Sequence, residues 1–190
     1  MTSDLDVDLS ALARTLRAST VAVHDAHGRG SGAGVVWDAD GIVVTNAHVA
    51  RGRYATIEFA SGRRVRAALV GRDPERDLAA LRFDPHDSPA LVPARTRDSA
   101  TLLPGELVVA VGNPHGIAGA MTAGLVHRCN AGWVVADVRL APGNSGGPLA
   151  DASGRVVGIN SMIARGLAFA VPSAAASAFL RSLREGVRAA

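Results

Sequence analysis

The chain has 190 residues, enough for one large domain or one domain of two lobes, and 48% of them are hydrophobic. That fraction excludes an intrinsically disordered chain, and no apolar run approaches the roughly 20 residues of a membrane-spanning helix. The net charge is +3, and every basic residue is an arginine. Because these arginines are scattered along the chain, they indicate a solvated surface rather than a nucleic-acid interface.

The first predicted element is a short amphipathic helix over residues 8–18. Leu9, Leu12 and Leu16 recur at helical spacing, and Asp8 precedes them where it can cap the helix start. The residues around this start are acidic and lack the basic beginning and apolar middle of a signal peptide. The chain as printed is therefore expected to stay in the cytoplasm; a longer chain with a leader would be exported or periplasmic.

Short runs rich in Val, Ile, Leu and Ala follow, separated by Gly, Pro, Asp and Asn. Roughly a dozen such runs predict an all-β fold, either a sandwich or a pair of barrels. A polar, proline-containing stretch at 84–100 divides them about evenly and so indicates two halves. The runs are TVAV (20–23), GVVW (34–37), IVVT (42–45), YATIEF (54–59), VRAALV (65–70), LAALRF (78–83), LVVAVG (107–112), GLVHRC (124–129), WVVADV (133–138), RVVGIN (155–160) and LAFAV (167–171).

A second amphipathic helix is predicted from residue 173 to about residue 188. Ser173 is the predicted N-cap, since a serine hydroxyl can accept from the unpaired amides of a first helical turn. One apolar face should dock on the β body; it consists of Phe179, Leu180, Leu183 and Val187.

Several residues that could bind metal or react are expected to do neither. Cys129 is the only cysteine, so no internal disulfide can form, and its apolar neighbours favour a buried small side chain over a nucleophile. His24, His27 and His127 could be imagined as metal ligands, and HDAH (24–27) has a possible ligand spacing. HDAH lies in a polar turn without a Cys or acidic cluster, so no metal site is predicted. No cofactor is expected either.

The segment APGNSGGPL, residues 141–149, holds three glycines and two prolines around Ser145. A plain Gly-Pro turn is one interpretation of this segment. The other is a nucleophile loop, because a serine hydroxyl is weak unless a base takes its proton and a partner orients that base. Glycines also let backbone N–H groups converge on an oxyanion.

Two further residues occupy strand ends, where rigid scaffolds present catalytic groups. His48 ends the apolar run VVTNAHVA (43–50), and Asp77 directly precedes the run LAALRF. Taken alone, such a histidine is structural and such an aspartate is a turn or cap residue. Together with Ser145 they supply the base, the orienting carboxylate and the nucleophile of a hydrolase.

These segments resemble the HtrA-type (DegP- or Deg-like) branch of the trypsin-like serine proteases. The similarity is carried in order by GSGAGVVWDADGIVVTNAHV, DPERDLAAL, VAVGNPHG, TAGLV, GNSGGPL, VVGIN and LAFAVPS, and it covers about residues 20–173. It implies an all-β, chymotrypsin-like fold of two antiparallel six-stranded β-barrels with short N-terminal and C-terminal helices. It implies one protease domain over residues 1–190, with the first barrel at about 20–95, the second at about 100–172 and the C-terminal helix at about 173–188.

The resemblance further implies a serine-type endopeptidase (hydrolase) that cleaves unfolded or damaged polypeptides in protein quality control. Its implied catalytic residues are His48 as general base, Asp77 as orienting partner and Ser145 as nucleophile, with the amides of Gly143 and Ser145 as oxyanion hole. An aliphatic side chain before the cleaved bond is expected. The implied substrate-binding residues are Leu140, Asn144, Ile159, Asn160 and Ser161.

Alternatives to this function remain open in the sequence. The same fold could serve as a non-cleaving peptide-binding module or holdase chaperone, and the same machinery could hydrolyse esters. Polypeptides are the expected partners, without nucleic acid or a membrane span. Members of the family often trimerise through aromatic residues near the N-terminus. The first 36 residues here contain no Phe, Tyr or Trp, so a trimer is not expected and the oligomeric state is left open. The printed chain ends soon after VPS, so control by an attached PDZ domain is not expected; His115 stands where this family often has Phe.

Overall fold

The computed structural model describes residues 4–25, 31–87, 91–114 and 119–188 of the chain. Within these ranges the chain forms two α-helices, two short 3-10 helices (Pro85–Asp87 and Ser99–Thr101) and twelve strands. The helices are α1 (Asp4–Ala18) and α2 (Ser173–Arg188). The strands are β1 (Thr20–Asp25), β2 (Ser31–Val36), β3 (Ile42–Thr45), β4 (Tyr54–Glu58), β5 (Arg64–Asp73), β6 (Leu78–Arg82), β7 (Leu107–Gly112), β8 (Ala120–Cys129), β9 (Val134–Ala136), β10 (Pro148–Asp151), β11 (Val156–Ala164) and β12 (Leu167–Pro172).

The strands close into two six-stranded antiparallel barrels, which confirms the predicted fold class. The first has the order β1-β2-β3-β6-β5-β4, and the second has the order β10-β11-β12-β9-β8-β7. Closure removes the unpaired edges that an open sheet would present. One strand is missing from the predicted runs: β10 begins at Pro148, directly after the Ser145 loop. A proline is tolerated at the first position of a strand, but the Gly/Pro-rich context conceals the strand in the sequence.

Aliphatic side chains fill both barrels and the space between them. The interior of the first barrel is built around Val23, Ile57 and Leu81, all fully buried. Another cluster joins the barrels to each other and to α2; it includes Val44, Leu78, Ile159 and Phe179. This shared cluster matters for function because it fixes how the ends of β3 and β6 face the second barrel.

Helix α1 starts four residues earlier than predicted. It begins at Asp4, so Asp8 lies inside the helix and is not its N-cap. Acidic residues are favourable in the first turn of a helix, where the backbone dipole is positive, so Asp4 and Asp6 are compatible with this earlier start. Leu16 is 1% exposed and packs against Val109, Val111 and Ala150 of the second barrel.

Helix α2 has the predicted bounds, but its first residue does not cap it. The Ser173 hydroxyl donates to the Arg97 carbonyl at 2.6 Å and accepts from the Ser99 amide at 3.2 Å. The connection between the barrels passes directly beside the start of α2. The backbone of this connection occupies the Ser173 hydroxyl, which is then not used to cap the helix. Ser173 therefore ties this connection to α2.

The connection between the barrels is also fixed by charge. Arg97 lies 2.6 Å from a Glu106 carboxylate oxygen and 3.4 Å from Asp151, whose side chain is 4% exposed. Asp151 also accepts from Arg155 and from the amides of Ser153 and Arg155. Burial raises the pKa of Asp151, but these hydrogen bonds outweigh burial and hold the pKa below its ordinary value.

In the part of the chain that the structure describes, neither helix has the length and apolarity needed to cross a membrane.

Candidate active site

His48 lies in a tight turn directly after β3. The Val49 and Ala50 amides both donate to the Asn46 carbonyl, and their side chains are buried in the first barrel. The His48 side chain, 42% exposed, therefore projects from a rigid turn into the space between the barrels.

Asp77 precedes β6 and adopts a left-handed backbone conformation, with φ of 55°. Non-glycine residues adopt this conformation at a cost, although aspartate tolerates it better than most. The Asn46 side-chain amide donates to the Asp77 carbonyl at 2.9 Å and so supports the conformation. Asn46 itself is completely buried, and its side-chain oxygen has no partner among the described residues.

The Asp77 carboxylate is hydrogen-bonded to His48 and Ser161. His48 Nδ1 lies 3.0 and 2.9 Å from the two carboxylate oxygens, and the His48 amide donates to Oδ1 at 3.1 Å. The Ser161 hydroxyl donates to Oδ2 at 2.5 Å. Burial raises the pKa of Asp77, but the bonds from His48 and Ser161 outweigh it and lower the pKa below its ordinary value. Asp77 is thus held ionised beside the imidazole.

The Ser145 loop is anchored to both barrels. The Ser145 carbonyl accepts from the Ala33 amide of β2 at 2.7 Å, and the Gly146 amide donates to the Asn160 carbonyl of β11 at 2.8 Å. Gly146 has φ of 85°, and a side chain there would overlap the Ala33 carbonyl and the Thr45 hydroxyl. Only glycine lets the loop approach the first barrel this closely.

The Ser145 hydroxyl donates to the Ser161 carbonyl at 3.2 Å. Among the described residues it makes no hydrogen bond to His48. Ser145 therefore joins Ser161, Asp77 and His48 in one chain of contacts, with its hydroxyl directed at the Ser161 carbonyl.

On either side of Asn144, the amides of Gly143 and Ser145 donate to no group within the described ranges. The Asn144 amide, in contrast, donates to the Ala141 carbonyl at 3.0 Å. Gly143 has φ of 107°, and its carbonyl accepts from the Asn113 amide at 3.1 Å. Unengaged amides beside a serine are the donors that an oxyanion needs.

The predicted substrate-binding residues differ in their access to the surface. Leu140 is half-buried against the core of the second barrel, and Asn144 is buried with its side-chain oxygen unpaired in the described structure. Ile159 and Asn160 are completely buried, and their backbones pair within the barrel. Neither residue therefore has a surface that a substrate could contact. Within the segment INSMI, the prediction of substrate contact is wrong for Ile159 and Asn160 and is restricted to the later residues. Of the predicted strand residues, Ser161 is the one that lies beside Ser145.

Other residues considered from the sequence lie apart from this network. His24 pairs with Glu58 at 3.1 Å, and His127 lies 3.7 Å from Asp137. The Cys129 thiol donates to the Ser99 carbonyl at 3.1 Å, and its burial raises its pKa, so thiolate formation is disfavoured. His27 and His115 fall outside the described residues.

Sequence reasoning missed two contributions to the site. Asn46 was not considered, and Ser161 was predicted only as part of the substrate strand, without the bond from its hydroxyl to Asp77. A polar Asn between an apolar strand and His48 was the available signal for the first. No local signal marks Ser161, because its partner lies 84 residues away.

Comparison with known proteins places this arrangement among peptidases. The family model described as a trypsin-like peptidase domain matches residues 32–159. A probable periplasmic serine endoprotease, DegP-like, from Halomonas elongata is 36% identical over 164 residues, which are 78% of this chain and 34% of the relative. A putative serine protease, HhoA, from a Synechocystis species is 36% identical over 173 residues, covering 83% of this chain and 44% of that protein.

Solved structures agree with the fold and the family. The serine endoprotease from Yersinia pestis superposes with a TM-score of 0.83 at 29% identity, over 93% of this chain and 67% of that one. An HtrA-type protease solved with a tripeptide also gives a TM-score of 0.83 at 29% identity, over 92% of this chain and 62% of that one. The predicted HtrA- and DegP-like resemblance is confirmed, while the chain spans about a third of the length of the Halomonas relative.

Proposed function

Because the chain belongs to the trypsin-like peptidase family, we propose that it is a serine endopeptidase with His48, Asp77 and Ser145 as its catalytic triad. The observation that carries this proposal is the chain of contacts from Ser145 through Ser161 and Asp77 to His48. Asp77 orients the imidazole through Nδ1, which leaves Nε2 to receive a proton. The ionised carboxylate then stabilises the imidazolium.

The reaction begins when the Ser145 hydroxyl turns from the Ser161 carbonyl to Nε2 of His48. His48 takes the proton as Oγ attacks the peptide carbonyl carbon, and later returns it to the leaving amine. An acyl-enzyme on Ser145 remains, and water attacks it with His48 again acting as base. The Ser161 carbonyl, released by the rotation, is free to accept a backbone N–H of the substrate.

The oxyanion of the tetrahedral intermediate is assigned to the amides of Gly143 and Ser145. Both amides are unengaged in the described structure, whereas the Asn144 amide is already bonded to Ala141. Loss of one such donor typically raises the barrier by about 3–4 kcal/mol. The Gly143 amide must therefore keep its orientation for full activity.

The substrate is proposed to be an extended, unfolded polypeptide with a small or medium aliphatic side chain before the cleaved bond. Leu140 supplies an apolar wall, and the carbonyl of Ser161 supplies a backbone acceptor next to the nucleophile. Beyond Ser161, Met162 and Ile163 are 45% and 51% exposed and offer an apolar lip along β11. Backbone pairing with such a strand binds extended chains without strict sequence demands, which suits a role in protein quality control.

The proposed activity is tested with a fluorophosphonate probe and with casein digestion. Wild-type protein should be labelled and should degrade casein, and Ser145→Ala should do neither. A non-cleaving holdase would suppress aggregation of an unfolded client without labelling. An esterase would be labelled and would cleave ester substrates while leaving casein intact.

The compartment is proposed from the relatives. Three of them are named as periplasmic proteases, which favours the exported alternative over the cytoplasm expected from the acidic N-terminal residues. Fractionation of cells of the source organism tests this assignment. Recovery of the protein with cytoplasmic markers would contradict it.

A further inference from the structure

Helix α1 is hydrogen-bonded to Gly119, the residue directly before β8. Arg17, in the last turn of the helix, donates through Nε to the Gly119 carbonyl at 2.6 Å. Gly119 has φ of 66°, and a Cβ on it would lie 2.9–3.0 Å from three atoms of the Arg17 side chain. The stem of Arg17 therefore covers Gly119 while its guanidinium holds the carbonyl.

Gly119 is hydrogen-bonded to Asn113, the first residue after β7. The Gly119 amide donates to Asn113 Oδ1 at 3.0 Å. The other side-chain atom, Asn113 Nδ2, is buried and has no partner in the part of the chain described. The bond from Gly119 is thus the interaction that orients the Asn113 carboxamide.

Asn113 in turn holds Gly143. The Asn113 amide donates to the Gly143 carbonyl at 3.1 Å. The Asn113 carbonyl and the Cα of Pro114 occupy the space that a side chain on Gly143 would need. The Gly143 carbonyl is therefore hydrogen-bonded, and its Cα is packed against Asn113 and Pro114. These contacts set the direction of the unengaged Gly143 amide.

The C-terminal end of α1, which carries Arg17, is fixed in place. Arg17 directly follows Leu16, which is 1% exposed and packed against Val109 and Val111 of β7. The Leu16 carbonyl also accepts from the hydroxyls of Ser19 and Thr20 at 3.2 and 2.7 Å. The helix end is therefore fixed to the second barrel and can act as a support.

We propose that Arg17 is a positioning residue for the oxyanion hole. It holds Gly119 and, through Asn113, fixes the carbonyl and the Cα of Gly143, so that the amide on the other side of this Cα keeps the orientation that accepts an oxyanion. This inference rests on the proposed function of the Ser145 site. Any partner or cleavage event that displaces α1 would lower turnover without touching the triad.

The matched variants are Arg17→Met, Arg17→Lys and Arg14→Met. Methionine keeps an unbranched stem over Gly119 and lacks the donor, and lysine restores a donor. Arg14 is an exposed arginine on the same helix, so its variant controls for loss of positive charge. The full chain is used throughout.

Two measurements decide the proposal. Amide hydrogen exchange at Asn113 reports its bond to Gly143, and we expect faster exchange in Arg17→Met alone. A peptide boronate forms a tetrahedral adduct with Ser145 and needs the oxyanion hole, whereas the cleaved product peptide does not. Arg17→Met should weaken boronate binding about tenfold, within the range for coupled residues. Product affinity should be unchanged, and Arg17→Lys should recover part of the loss.

Unchanged exchange at Asn113 in Arg17→Met would overturn the connection from α1 to Gly143. Faster exchange with undiminished boronate affinity would overturn its role in the oxyanion hole, as would an equal loss of boronate and product binding. If wild-type protein binds neither fluorophosphonate nor boronate, the proposed protease function fails. In that case the exchange measurement still decides whether Arg17 supports Gly143.

Discussion

Asp77 combines an unfavourable backbone conformation with a carboxylate that is hydrogen-bonded to His48. Its φ of 55° aims the carboxylate at His48, and the Asn46 amide holds its carbonyl. Strained conformations persist only where the surroundings determine them, and they concentrate at functional sites. Asn46 also leaves one buried oxygen unpaired in the described structure, so its contribution to folding stability is offset while its contribution to geometry remains.

Replacing Asn46 should therefore affect catalysis more than stability. We expect Asn46→Leu to lower kcat at least about tenfold, because a small displacement of a catalytic group is costly, with little change in KM. Steady-state kinetics and chemical denaturation measure the two effects. Ser182→Ala is the control: it removes a side-chain bond to the Phe179 carbonyl of α2 and should cost about 0.5–1 kcal/mol with kcat unchanged. Equal kcat in both variants would contradict the prediction.

Asp77→Asn isolates the charge from the conformation. Asparagine tolerates positive φ, so the fold should persist. The neutral amide can donate to Nδ1 and thereby favours the wrong imidazole tautomer, which should lower kcat by about 10⁴. Single-turnover kinetics measure the loss, and circular dichroism checks the fold. A loss below tenfold would argue that Asp77 does not orient His48.

At the scale of elements, each residue of the proposed triad lies at a junction between a strand and a turn. His48 follows β3, Asp77 precedes β6, and Ser145 precedes β10. Because β3 and β6 pair directly, with Thr45 opposite Ala79, their ends bring His48 and Asp77 together. The pairing of two strands within the first barrel therefore produces the His–Asp contact, and the second barrel contributes Ser145.

The hairpin between β11 and β12 carries strain that a substitution can relieve. Its two loop residues, Arg165 and Gly166, both have positive φ, as a type I′ turn requires. Arginine disfavours this conformation, so Arg165→Asn should raise the free energy of unfolding by about 0.5–1 kcal/mol. Urea denaturation measures the change. Arg165→Lys, which keeps the charge and the conformational cost, should leave stability unaltered; a gain there would contradict the argument.

At the scale of the whole molecule, the site exists because the barrels are held in one relative orientation. The Ala33 amide of the first barrel donates to the Ser145 carbonyl of the second. The connection between the barrels is fastened by the Arg97 cluster of Glu106, Asp151 and Arg155. The cluster thus ties the connection between the barrels to the second barrel.

Removing the buried charge of Asp151 should lower the stability of the protein. Asp151→Asn should lower the free energy of unfolding by about 2–3 kcal/mol at pH 7, as expected for charged hydrogen bonds with little solvent access. The folded pKa of Asp151 is depressed, so its contribution is fully present above the unfolded pKa and is lost as pH falls through the folded value. The difference between wild type and variant should therefore narrow below about pH 4.

Urea denaturation from pH 3 to pH 8 measures that difference. Asp87→Asn is the control, because Asp87 is exposed and 4.0 Å from Arg63, and its loss should cost nearly nothing. A difference that stays constant down to pH 3 would show that Asp151 does not titrate as described.

Much of the molecule follows from local patterns. The alternation of apolar runs with turn residues predicted the strands, and the ordered motifs around His48, Asp77 and Ser145 predicted the family and the two-barrel fold. Where the prediction fell short, a distant contact decided the outcome. Ser173 exchanges its expected capping role for bonds to the inter-barrel connection, and β10 is concealed by glycine and proline that the Ser145 loop requires.

The sequence by itself determined the chemical groups, their order and the class of fold, because these depend on residue type and short-range periodicity. Only the tertiary structure decided that Ser161 bonds Asp77, that Asn46 supports the Asp77 backbone, that Ser145 rests on the Ser161 carbonyl, and that Arg17 reaches Gly119. The physical reason is that hydrogen bonds act over about 3 Å, whereas these partners are separated by 16 to 102 residues along the chain. Barrel closure and packing between the barrels bring them within that range.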